Sequence, residues 1–214
     1  WLHAEVSVDV AGKPRTKDAF VEAESRYARG RVGQFKVPTT ELLLASSWEL
    51  ASGQNDLIET LLVDRLQVGG RRPGVAVTAR AKGGLEPQLT LGAFQGSQLT
   101  DEVALDTSLL EAQSLGAQSV VARLRMKAGP LKFGGFFEER VATVRLLLPG
   151  ERPPHYWTAG AELSGDMRLG AWGVRLWSDA LAGRSWFEAS NKPAGNGPPR
   201  FFEGRALLGV RHGG

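Results

Sequence analysis

Arginine and lysine recur at every second position in several short stretches of this 214-residue chain. Arg29 and Arg31 form one such pair, Arg80 and Lys82 another, and Arg123, Arg125 and Lys127 a triplet. Arg175, Arg205 and Arg211 stand singly in similar alternating surroundings. Side chains two apart on a strand project from the same face, so each set would place its cations side by side. A guanidinium offers a planar fork of N–H donors that matches an oxyanion, and rings of such groups in a pore favour anions. The chemistry within reach of these residues is therefore anion recognition.

Catalysis finds no comparable footing. His3, His155 and His212 are far apart and none stands in a metal-ligating spacing. The sequence contains no P-loop, no Rossmann glycine pattern and no G-x-S-x-G elbow. Glu138 and Glu139 are adjacent, and neighbours on a strand point to opposite faces, so they do not form an acid pair. The expectation is a protein that is not an enzyme and carries no cofactor.

The elements that must position the cations are strands, because the apolar residues alternate too. Leu2, Ala4, Val6, Val8 and Val10 share one parity, against His3, Glu5, Ser7 and Asp9. Ala28, Gly30 and Val32 oppose Arg29 and Arg31, and Val75, Val77 and Ala79 oppose Thr78 and Arg80. Val120, Ala122, Leu124 and Met126 oppose Arg123, Arg125 and Lys127. Trp157, Ala159, Ala161 and Leu163 oppose Thr158, Glu162, Ser164 and Asp166. Phe202, Gly204, Ala206, Leu208 and Val210 oppose Glu203, Arg205 and Arg211. Weaker alternation covers 18–25, 88–96 and 169–177; along 131–148 the parity changes near Glu138–Glu139, which predicts a β-bulge. In all there are about ten strands, close to the roughly 9–11 residues of a tilted membrane strand.

The connections sort by length. Glu24–Arg26, Lys82–Leu85, Lys127–Pro130 and Gly165–Arg168 read as tight turns. Between them fall the longer segments 11–17, 37–72, 97–116, 149–154 and 178–200. Short turns at one end and long loops at the other describe a transmembrane antiparallel up-and-down β-barrel, a single all-β domain over 1–214. A β-sandwich remains the alternative, since antiparallel strands with one wet face look alike one at a time. The 37–72 segment is long for a structureless loop, and its Leu42–Trp48 run and the stretch from Asn55 to Arg65 carry helical, capped patterns. Such a segment is expected to fold into the lumen or lie outside the barrel, as is 97–116.

Composition agrees with a folded exported protein. Hydrophobic residues make up 42 % and charged residues 23 %, which argues against disorder. There is no Cys, hence no disulfide, thiolate metal site or Cys nucleophile. The net charge is +3 with a pI of about 9.4. No uncharged apolar run approaches the ~18 residues of a membrane helix. The chain does not open on a basic n-region followed by an apolar core, so no signal peptide is visible and it reads as either a mature form or a fragment.

If the apolar faces meet lipid, Arg29, Arg31, Arg80, Lys82, Arg123, Arg125, Lys127, Arg175, Arg205 and Arg211 line the interior. The matching acids are fewer: Glu5, Asp9, Glu22, Glu162, Asp166 and Glu203. Either these cations make an anion-attracting channel, or they pair with acids on neighbouring strands. A nucleic-acid surface is disfavoured, because Tyr27, Phe94, Tyr156, Trp157, Trp177 and Phe201 lie near strand ends, where the interface girdles of a membrane barrel belong.

The stretch "RVGQFKVP" (31 to 38) resembles the signature of the phosphate-selective porin O and P family. "DAFVEAES" (18 to 25), "VDR" (63 to 65), "RRPGVAV" (71 to 77), "LGAFQG" (91 to 96) and "VVARLR" (120 to 125) follow in the order that family shows. The resemblance implies a passive anion-preferring, phosphate-type channel in a bacterial outer membrane, surrounded by lipid and assembled as a homotrimer. It also implies a barrel of about sixteen strands, so that a chain of about ten would be a fragment or a shortened relative. The alternative reading is a β-barrel or β-sandwich binding module that transports nothing.

Overall fold

A computed structural model describes residues 1–9, 15–44, 68–95, 118–141, 155–184 and 200–212. The alternating segments form ten strands in one antiparallel sheet, ordered β1 to β10 exactly as they occur along the chain. They are β1 (Leu2–Asp9), β2 (Arg15–Glu24), β3 (Ala28–Lys36), β4 (Arg71–Arg80) and β5 (Gln88–Gln95), then β6 (Gln118–Ala128), β7 (Leu131–Val141), β8 (His155–Leu169), β9 (Trp172–Arg184) and β10 (Arg200–His212). One helical turn, α1 (Glu41–Leu44), follows β3. Every strand pairs with its predecessor, which makes the sheet an up-and-down meander; among the described residues no pairing joins β10 to β1.

The connections alternate as the sequence predicts, with β2–β3, β4–β5, β6–β7 and β8–β9 joined by short turns at one end. The last of these turns differs from the sequence expectation. β8 continues through Gly165–Arg168 and turns at Gly170–Ala171, where Gly170 has φ +63°. Only glycine occupies that left-handed conformation without steric cost. β9 likewise runs on to Arg184, well into what alternation alone assigns to a loop. The expected bulge at Glu138–Glu139 is absent: β7 keeps one unbroken register with both β6 and β8. The parity change has another cause, since Phe136 and Glu138 share the inward face while Phe137 and Glu139 are exposed. A register shift occurs instead between Ser7 and Val8, where β1 pairs with β2.

The two faces are unlike. One carries Val21, Val32, Val75, Val77, Leu89, Leu91, Val120, Leu124, Phe137, Leu163, Leu208 and Val210, all exposed. The other carries the charges and is mostly covered. It is concave: Arg72 on β4 reaches Glu138 on β7 at 2.9 Å, although three strand spacings span about 14 Å on a flat sheet. The residues after β3 lie across this concavity, and Val37, Thr39, Thr40 and Val68 are fully buried there.

Two apolar clusters fill the half of the concave face nearer the long connections. Phe20, Phe35, Val37, Ala76, Phe94 and Val121 form one, with Phe35 and Phe94 edge to face at 5.3 Å. Val68, Phe136 and Leu181 form the other, flanked by Leu43 and Phe201. Phe94 and Phe201 therefore face inward rather than joining an outer aromatic girdle. Trp177 also lies on the inward parity of β9, beneath Arg175 at 5.1 Å. Tyr27 stands exposed in the β2–β3 turn, and the side chain of Tyr156 lies outside the described residues, as do the expected helices beyond Leu44 and the whole 97–116 loop.

Candidate functional site

Strand register decides which cations meet. Arg29 on β3 stands opposite Thr78 on β4, Thr78 opposite Thr90 on β5, and Thr90 opposite Arg123 on β6. The two threonine hydroxyls bond each other at 2.9 Å. In the next row toward the turns, Arg80 faces Gln88 and Gln88 faces Arg125. Arg29, Gln88, Thr90, Arg123 and Arg125 thus line a small, partly open polar cavity of about 60 Å³.

Most of these cations lie beside carboxylates. Arg31 bonds Glu22 through Nε at 2.7 Å, and Arg29 lies 3.8 Å from the same carboxylate. Arg80 pairs with Glu24, and Arg123 with Glu162 at 2.6 Å. Arg125 lies 3.9 Å from Glu41, and Lys127 3.6 Å from Glu86. Arg175 pairs with Asp166 near the turn end, and Arg205 with Asp179, its Nε at 2.8 Å. Among the described residues, Lys82 and Arg211 of the expected set have no carboxylate within 4 Å; Lys82 lines an open cleft at the β4–β5 turn with Arg80, Glu86 and Gln88. Arg211 is exposed toward the end of β10.

Several of these partners were invisible to alternation because they sit where the sequence suggested turns, loops or a bulge. Glu24 and Glu86 flank turns, Asp179 belongs to the unforeseen extension of β9, and Glu138 sits at the misjudged bulge. Glu41 comes from α1, off the sheet altogether. A signal did exist in the sequence: Glu24 is two residues from Glu22, in phase with it.

The pairing is nevertheless not one to one. Glu22 serves Arg29 and Arg31, Glu41 serves Lys132 and Arg125, and Glu138 serves Arg72 and Arg140. Arg205 reverses the ratio, with Asp179 and Glu203 both near it. Shared carboxylates leave a residual positive charge, and two of the three doubly shared acids lie in the half of the face near the turns.

The segment from Val37 to Leu44 is fastened across this surface at several points. Thr40 donates its hydroxyl to Asp179 on β9 at 2.7 Å. Lys132 on β7 donates to one oxygen of Glu41 at 2.9 Å, and Ser164 on β8 to the other at 2.7 Å. The Glu41 backbone N–H donates to Glu162. Lys36 caps the far end, bonding the Leu43 and Leu44 carbonyls at 3.3 Å each. Among the described residues no cluster of His, Asp or Glu could hold a metal ion. No family model matches the chain, and no curated protein or solved structure matches it.

Proposed function

We propose that this chain forms the wall and lining of an outer-membrane β-barrel that passes small anions passively, in the manner of the phosphate-selective porins its sequence resembles. The observation that carries this reading is the inverted arrangement of the sheet. Val77, Val120 and Leu208 are 57, 62 and 68 % exposed, while Arg123 and Glu138 on the other face are 8 and 0 % exposed. Left in water, each large apolar side chain would forgo roughly 1.5–3 kcal/mol of burial; against hydrocarbon the same face is at home, and the polar residues belong inside. Outer-membrane lipid, inorganic anions such as phosphate, and two further copies of the chain are the partners this reading implies. Anion preference follows from carboxylates shared between cations, since a residual positive potential in a narrow polar space is focused by its low-dielectric walls.

A second reading, a membrane barrel that transports nothing, is favoured by one specific observation: residues 37–44 and the two apolar clusters cover the concave face. One experiment separates the two. The protein is reconstituted in a planar bilayer and its reversal potential measured across a salt gradient, for wild type and for Arg29→Glu, Arg80→Glu and Arg123→Glu. The channel reading expects anion preference that weakens from 0.1 M to 1 M salt, as the Debye length falls from about 10 to about 3 Å, and that each substitution reduces. Cation preference in the wild type, or indifference to all three substitutions, refutes it; a detergent-requiring protein without conductance establishes the second reading.

A further inference from the structure

Three strands converge on the Glu41 carboxylate. Lys132 from β7 and Ser164 from β8 stand directly opposite each other and donate to its two oxygens, and Arg125 from β6 lies 3.9 Å away. An ammonium, a hydroxyl and a guanidinium gathered about one point are the donor set of an oxyanion site. Glu41 does not belong to the sheet that builds this set. It is delivered by α1, from a segment held otherwise by Thr40 on Asp179, by the Glu41 N–H on Glu162 and by Lys36 on the α1 carbonyls. Arg125 also lines the polar cavity with Arg29 and Arg123, so one guanidinium borders both the occupied position and the cavity.

We infer that Lys132, Ser164 and Arg125 form a binding site for a small inorganic oxyanion, which Glu41 occupies as a tethered stand-in. Free anion and strap then compete for the same donors: anion binding displaces Glu41 and loosens residues 37–44, and the seated strap weakens anion binding. This deepens the anion-preferring reading and rests on it for its meaning, because a passing anion would open the face that the strap covers. The neighbouring acids do not perform the same task. Glu162 and Asp179 belong to the sheet, pair there with Arg123 and Arg205, and act on the strap only as acceptors for the Glu41 N–H and the Thr40 hydroxyl.

The test uses the full chain in phospholipid-free detergent micelles with sodium phosphate as probe, and requires no conductance. Removing the tethered charge with Glu41→Gln is expected to tighten phosphate binding, read by calorimetry, at least tenfold. Glu86→Gln removes the same charge beside Lys127 and is expected to change it less than twofold. Lys132→Ala added to Glu41→Gln should abolish the gain. The chain has no cysteine, so Thr39→Cys, at a fully buried position, supplies a lone thiol on the strap. Its maleimide labelling should accelerate saturably with phosphate but not with chloride at matched ionic strength. Glu41→Asp, a milder change, should also tighten phosphate binding. Phosphate binding no tighter in Glu41→Gln, an equal gain in Glu86→Gln, or labelling indifferent to phosphate would each overturn the competition. An anion-blind channel with these results intact would instead overturn the transport reading alone.

Discussion

Glu138 is fully buried and serves two guanidinium groups: Arg72 at 2.9 Å, itself 1 % exposed, and Arg140 at 3.8 Å. Arg72 also bonds Ser119 at 3.0 Å and the Gly69 carbonyl at 3.1 Å. Breaking a buried ion pair by removing one partner costs about 3–5 kcal/mol, because the remaining charge stays desolvated. The two halves of this pair should not be equal. Arg72→Met leaves Glu138 with Arg140 nearby, so the lower end, about 3 kcal/mol, is expected. Glu138→Gln leaves two cations with a neutral amide between them, so the upper end, about 5 kcal/mol, is expected. The double variant should cost much less than the sum, with a coupling energy of about 2 kcal/mol or more. Urea unfolding in lipid vesicles, followed by tryptophan fluorescence, measures all three. Additive losses, or a Glu138→Gln cost below about 1 kcal/mol, would refute the view that this pair ties β4 to β7 across the concave face.

Gly33 has φ +130°, and a Cβ there would fall on the Ala19 carbonyl oxygen and 2.6 Å from the Phe20 Cα; Gly33→Ala should cost about 1–3 kcal/mol in the same assay. Single cysteines at Val77, Leu124, Ala161 and Val210 should react with a lipid-phase label, while those at Thr78, Arg125 and Glu162 should not; the reverse pattern would require a soluble protein. Burial pushes the Glu41 carboxyl up, but hydrogen bonds from Ser164 and Lys132 and the charges of Lys132 and Arg125 outweigh it and hold the group below its ordinary value. A depressed carboxyl contributes stability above its unfolded pKa and loses it as pH falls through the folded one. Labelling at Thr39→Cys by a dipyridyl disulfide, which reacts with thiols in acid, should therefore rise relative to a free thiol at the same pH on acidification below the ordinary carboxylate range, and that rise should vanish in Glu41→Gln.

The strands were legible in the sequence because an antiparallel sheet with unlike faces writes a period of two into the chain. Val75, Val77 and Val120 alternate with Thr78, Arg80 and Arg123, and the structure keeps each on its side. Loop lengths gave the meander for the same reason. The charge balance was less legible, since Glu41, Glu86 and Asp179 reach the cations from a helix, a turn and a strand extension. Contacts between strands three apart, such as Arg72 with Glu138, depend on curvature, which no local pattern records. The inward phenylalanines mislead for a further reason: Phe20, Phe35 and Phe136 sit on the polar parity because the strap seals that half of the face.

The meander also fixes an order of events in folding. Each strand finds its partner next to it in the chain, and four of the nine joints are short turns, so those hairpins can form on the ~1–10 μs scale. The fastenings of the concave face are of another kind. Arg72 and Glu138 are 66 residues apart, Glu41 and Glu162 121, and Thr40 and Asp179 139. The two α1 closures need strands made more than a hundred residues later. The topology therefore predicts a wall that zips first and an interior that locks last, with the charged groups still hydrated and the strap still loose in the interval.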